Sequence, residues 1–107
     1  MIEYDKDKII YLAGIVDGEG HFYRPLCHSG KGHPFYQARI VVVNTHKPLM
    51  DWLTDNFGGY VTPLKKHQPH HKQSYQWVIS SSKACILASW LNPYLIVKKE
   101  QVKRILM

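Results

Sequence analysis

"LAGIVDGEG", residues 12–20, puts three glycines and two carboxylates into nine positions. A glycine in a helix interior costs about 1 kcal/mol relative to alanine, so their presence needs a reason. Ile9, Leu12, Ala13 and Val16 recur at helical spacing, with Ile10, Gly14 and Asp17 on a neighbouring face. This predicts a helix over 7–16, capped by Asp5 or Asp7. Gly18 and Gly20 are expected to end it and to permit backbone angles that other residues avoid. Ala13 and Gly14 then sit mid-helix with almost no side chain, which suits close approach of a second helix, its own copy included. Glu19 is projected from the helix end, between glycines that let a ligand or another backbone come near.

The rest of the chain sets the bounds. It has 107 residues and a net charge of +6, enough for one domain, 1–107, with a modest core. No run of ~18 apolar residues is present, so no membrane partner is expected. The N-terminal "MIEYDKDKII" is charged and lacks a signal-peptide block. Cys27 and Cys85 form no spaced motif; they could pair, but free thiols in a reducing, intracellular setting are the simpler reading. The charge is segregated. Residues 20–50 hold no acid but carry Arg24, Lys31, Arg39 and Lys47; residues 56–99 hold none but carry Lys65, Lys66, Lys72, Lys83, Lys98 and Lys99. All the histidines fall in these two stretches. A merely solvated basic surface would do this less cleanly than a surface built for a polyanion.

Outward from the first helix, "GHFYRPLC" (20–27) reads as a strand, with Pro25 marking an edge or bulge. "FYQARIVVVN" (35–44) is the strongest strand. "THKPLMDWLTDNFGG" (45–59) reads as a helix with Asn44 or Thr45 as cap and Gly58 as stop. "YVTPLKKH" (60–67) and "QSYQWVIS" (73–80) are two strands around a loop. "SSKACILASWL" (81–91) is a serine-capped helix broken by Asn92-Pro93, and a last short helix follows. The order α-β-β-α-β-β-α-α implies an α+β fold, an antiparallel four-stranded sheet covered by helices on one face.

With these elements in place, residues 12–20 resemble the LAGLIDADG signature of homing endonucleases. Leu12, Ala13, Gly14, Ile15, Val16, Asp17, Gly18, Glu19 and Gly20 occupy its nine places, seven of them identical or exchanged among Ile, Leu and Val. The α-β-β-α-β-β-α order of that family's module spans the whole chain. The C-terminal "LNPYLIVKKEQ" is similar to the family segment that carries an active-site lysine. Only one signature is present, and single-signature members act as homodimers on near-palindromic duplexes.

The resemblance implies specific roles. Leu12, Ala13, Gly14, Val16 and Asp17 are assigned to the dimer interface, where two signature helices pack. Glu19 is assigned as a divalent-metal ligand together with the carbonyl of Gly18; Asp17 caps or hydrogen-bonds near the partner helix. Oxygen ligands suit Mg²⁺, with Mn²⁺ as a substitute. Lys98 matches the active-site lysine. Asn44 matches a polar water-positioning residue, and it fits a helix cap equally well. The family often carries a basic residue shortly after this position; here Pro48 stands close to it, with Lys47 the nearest cation. Glu19, Lys98 and Asn44 are thus the candidate catalytic residues of a metal-dependent DNA endonuclease.

DNA contacts are expected from the uncovered sheet face. Side chains alternate along a strand, so Gln37 and Arg39 should oppose Ala38, Ile40 and Val42, and His21 should share a face with Tyr23. Lys65 and Lys66 are phosphate candidates. Gln73 and Tyr75 share one parity, but so does Trp77, which suits a core. His67, His70 and His71 lack cysteine partners at zinc spacing and read as phosphate contacts or solvated side chains. The alternatives are a non-cleaving DNA- or RNA-binding module of the same fold, a maturase or regulator, and a basic structural protein of ribosomal type. Glu19 favours cutting over both.

Overall fold

The computed structural model describes residues 3–106 except Ser29, Lys31 and His67. Helix α1 runs Lys6–Glu19. Its N-cap is Asp5, whose carboxylate accepts from the backbone N–H of Asp7 at 2.8 Å and of Lys8 at 3.3 Å. It continues three residues beyond the expected end, so Gly18 lies inside its last turn and Gly20 is the C-cap. Gly20 has φ −110°, an ordinary extended value. Its lack of a side chain has a packing reason instead: a Cβ there would lie 3.0 Å from both Val16 Cα and the Val41 carbonyl oxygen.

The two long N-terminal strands are each interrupted. β1 (Gly20–Tyr23) and β2 (Leu26–His28) flank Arg24-Pro25, while β3 (Pro34–Tyr36) and β4 (Arg39–Asn44) flank Gln37-Ala38. Pro25 has no N–H to give the ladder, but its carbonyl still accepts from Gln37 N–H at 3.1 Å. The outer part therefore folds as a separate two-stranded hairpin, β2–β3. Helix α2 (Lys47–Phe57) follows, then β5 (Tyr60–Pro63), β6 (Tyr75–Ser80), α3 (Ser81–Leu91), a 3₁₀ turn (Asn92–Tyr94) and α4 (Lys99–Ile105). With the interrupted strands counted once, this is the expected order.

The main sheet is antiparallel in the order β1-β4-β6-β5. One face carries Phe22, Ile40, Val42, Trp77 and Ile79, which join Ile9, Leu12, Ala13 and Val16 of α1, Met50, Leu53 and Phe57 of α2, and Ala84, Leu87 and Leu91 of α3 in one core. Each such aliphatic side chain contributes about 1.5–3 kcal/mol by leaving water. Trp77 is fully buried and donates its indole N–H to the Gly58 carbonyl at 2.8 Å, so its polar atom is satisfied. Gly58 stops α2 at φ 84°, as its position implied, and Gly59 follows at φ 81°. A Cβ on Gly59 would collide with the carbonyl of Val78. Gly59→Ala should therefore destabilise the fold by at least ~2 kcal/mol, through overpacking and left-handed backbone strain together. Denaturant titration checks this; a change under ~0.5 kcal/mol would contradict it.

Candidate active site and nucleic-acid interface

Glu19 is the last residue of α1, and its side chain is exposed. Asn44 ends β4 beside it. The Asn44 side-chain oxygen accepts from His46 N–H at 2.8 Å, which turns the amide NH₂ toward Glu19, where it donates to Oε2. Asn44 thus holds the carboxylate rather than capping α2, whose N-cap is His46. Half-buried Lys98 donates from Nζ to the carbonyl of Gly20, next to Glu19. His21 follows on β1. Burial first, and the Lys98 ammonium second, hold its imidazole below the usual histidine value. The Glu19–Asn44 pair thus stands at the end of α1, and Lys98 and His21 lie where the chain passes from α1 into β1.

Asp17 points elsewhere. Its Oδ2 accepts from Ile96 N–H at 2.8 Å, and its Oδ1 from Val97 and Lys98 N–H at 3.1 Å each. Both oxygens anchor the loop before α4 in the same chain, and so set the position of Lys98. This corrects its assignment to the dimer interface. Leu12, Ala13 and Val16 need the same correction, because they are at most 1% exposed inside the protomer core. Ala13 is small because α1 packs against α3 and β4 of its own chain. Gly14 is different: it is exposed, and a Cβ there, as at Gly18, would meet nothing within 4 Å. Both line an open groove of about 540 Å³ with Ile10, Tyr11 and Ile15, and Glu19 and Asn44 also line it.

Among the described residues, no three His, Cys, Asp or Glu side chains stand together as a metal set. One chain offers a single hard-oxygen carboxylate here, Glu19, since Asp17 is engaged. That donor chemistry fits a hard divalent cation only if further oxygen ligands come from outside the protomer.

The sheet face opposite the helices is ordered in cross-strand rows. Tyr23, Arg39 and Ser80 form one, His21, Val41, Val78 and Tyr60 the next, and Val43, Gln76 and Thr62 the third. His21 and Tyr23 share this face as expected, with rings 5.1 Å apart. Arg39 stands on it, clamped from several sides. Its Nε donates to Gln37 Oε1 at 2.9 Å and Nη2 to Cys27 Sγ at 3.4 Å, and a hydrogen bond with Tyr23 raises its already high pKa. Gln37 lies between strands, with its amide oxygen on Arg39 and its NH₂ on Ser81 Oγ at 3.0 Å. It positions Arg39 and is not a free reader of bases.

Gln73 is likewise engaged, donating to the carbonyls of Leu64 and Ser74 at 2.7 and 2.8 Å to close the β5–β6 hairpin. Tyr75 shares its face with Trp77 and packs against the core, which removes it from the open face. Lys65 and Lys66 lie exposed just beyond β5, which is shorter than expected. His70 and His71 are exposed loop residues with rings 4.7 Å apart; His67 and Lys31 lie outside the described residues. Lys47 pairs with Asp51 at 2.6 Å. Sequence reading missed Val43, Tyr60, Thr62 and Gln76. The parity of Trp77, a core residue by size, contained the signal for Gln76.

No family model matches the chain, and no curated protein does. Solved structures match it strongly. Homing endonuclease I-CvuI, in complex with its target in the presence of calcium, superposes with TM-score 0.76 over 94% of this chain at 19% identity. The archaeal intron-encoded homing endonuclease I-Vdi141I, complexed with DNA, gives TM-score 0.70 over 92% at 19% identity. The LAGLIDADG homing endonuclease I-SmaMI, bound to cleaved DNA, gives 0.61 over 90% at 17%. The match spans 64%, 65% and 33% of those chains respectively. The α+β fold described above is the fold of LAGLIDADG homing endonucleases.

Proposed function

We propose that this chain is a site-specific, double-stranded DNA endonuclease that works as a homodimer and hydrolyses phosphodiesters with Mg²⁺, or Mn²⁺ in its place. The observation that carries the reading is Glu19. It is an exposed carboxylate at the end of a helix whose open face is lined by Gly14 and Gly18, held by Asn44 and next to a lysine-bound carbonyl. Each helix glycine costs about 1 kcal/mol, and neither has a steric reason within the protomer. Packing α1 against its own copy supplies that reason and brings a second Glu19 to the same place.

Glu19 of each copy, with the Gly18 carbonyl, would hold the metal, which when bound neutralises phosphate charge and lowers the pKa of water. Asn44 orients the carboxylate. Lys98, fixed by the Asp17-anchored loop, places positive charge where the phosphorane's negative charge builds up. The exposed sheet face and the Lys65-Lys66 pair face the duplex. That I-CvuI and I-Vdi141I, which share the fold, are in complex with a target and with DNA supports a duplex as the partner. The second reading, a non-cutting DNA- or RNA-binding module, is favoured by one observation. Lys47 is paired with Asp51, so among the described residues no unpaired lysine or arginine follows directly after Asn44. Selection of a bound duplex from a random pool, followed by Mg²⁺ addition, separates the two: specific cleavage supports the nuclease, and a specific but uncut complex supports the module.

Binding should weaken steeply with salt, because phosphate contacts release counterions. Arg39→Ala should relax base preference at one position in each half-site, costing about 1–3 kcal/mol for a bidentate contact. Equal weakening on every sequence would make Arg39 a phosphate contact instead.

A further inference from the structure

The amides of Gln37, Gln73 and Gln101 are all engaged within the chain. Gln76 has no hydrogen-bond partner among the described residues, although it stands in the middle of the open face. Its cross-strand neighbours are Val43 on β4 and Thr62 on β5, both exposed and both carrying methyl groups. This row is at the Glu19 end of the sheet, since Val43 directly precedes Asn44. A free carboxamide between two methyl-bearing side chains has a defined complement in the major groove. Adenine presents an N7 acceptor and an N6 donor, which one carboxamide satisfies together, and thymine presents a C5-methyl to apolar contact. A G·C pair has no methyl group, and neither of its bases presents an acceptor and a donor side by side, since guanine shows two acceptors and cytosine one donor.

We infer that the row Val43–Gln76–Thr62 reads an A·T pair in each half-site, on the side nearest the Glu19 end, with Gln76 on adenine and Val43 or Thr62 against a thymine methyl. Adjacent strands are about 4.8 Å apart, so the flanking methyls reach the thymine of the same pair or the next one. The inference rests on the proposed duplex-binding role and adds a base identity to it.

The test is target selection from random duplexes with the full chain, repeated with variants and with modified bases. Wild type should select a duplex with a fixed A·T pair. Gln76→Ala should lose roughly 5- to 150-fold of the preference at that pair alone. Gln76→Glu should shift it toward cytosine, whose N4 amino group donates to a carboxylate. Replacing thymine by deoxyuridine should cost wild type about fourfold for one lost methyl contact, and Val43→Ala or Thr62→Ser should remove that sensitivity. If a specific duplex is selected but Gln76→Ala weakens all sequences equally, or deoxyuridine is harmless at every position, the inference is overturned and the duplex-binding role stands. If wild type selects no duplex, both fall.

Discussion

Glu19→Gln should leave the protein bound to its selected duplex and reduce Mg²⁺-dependent cleavage at least ~100-fold. The substitution keeps length and shape. The new amide can still present its oxygen to the Asn44 NH₂, which is fixed by the Asn44 bond to His46 N–H. The local geometry therefore survives, and only the charge that would hold a cation is lost. Binding in Ca²⁺ should persist if, as proposed, the sheet face and not Glu19 meets the bases; it should even tighten if two carboxylates no longer face phosphates without a metal between them. Glu19→Asp should keep partial activity, as the charge remains on a shorter arm. Gel-resolved nicking beside a Ca²⁺ binding titration measures both. Cleavage at wild-type rates by Glu19→Gln would remove the catalytic role.

The second large effect is at Gly14. A Cβ there meets nothing within 4 Å among the described residues, so Gly14→Leu should fold normally. Helix propensity even favours it by nearly 1 kcal/mol. The same side chain would project into the groove beside α1 and block a second helix from approaching. The expected result is a folded monomer that loses specific binding to a two-half-site duplex, while wild type sediments as a dimer. Circular dichroism separates this outcome from unfolding. A Gly14→Leu protein that still dimerises and binds like wild type would show that the groove is not an interface.

Much of the architecture was legible because periodicity is local. The core positions of α1, the alternation of Ala38, Ile40 and Val42 against Arg39, and the Gly58 stop all follow from spacing and backbone preference within a few residues. What failed was non-local. Asp17 bonds a loop some 80 positions away, which no spacing within residues 12–20 reveals. The small size of Ala13 suits close packing against a partner, but α1 also has close neighbours in its own chain. Its own chain takes Leu12, Ala13 and Val16 and leaves Gly14 and Gly18 open beside exposed Ile10 and Tyr11. Tyr75 and Gln73 differ from expectation for a related reason. Strand parity is certain only once one residue is known to be core, and Trp77 decides it. Gln37 lies on the expected side but supports Arg39 instead of facing a base, a distinction that depends on the position of Ser81.

The central claim is that two copies bring two Glu19 carboxylates together over one duplex. Mixed dimers test it most directly. Wild type and Glu19→Gln are combined in varied ratio, allowed to exchange subunits, and assayed in Mg²⁺ for cuts in either strand of the selected duplex, nicked and fully cut products counted together. If both carboxylates are needed, activity falls with the square of the wild-type fraction, to about a quarter at an equal mixture. A linear fall, to about a half, would mean that each chain cuts with its own Glu19 alone, and would contradict the account.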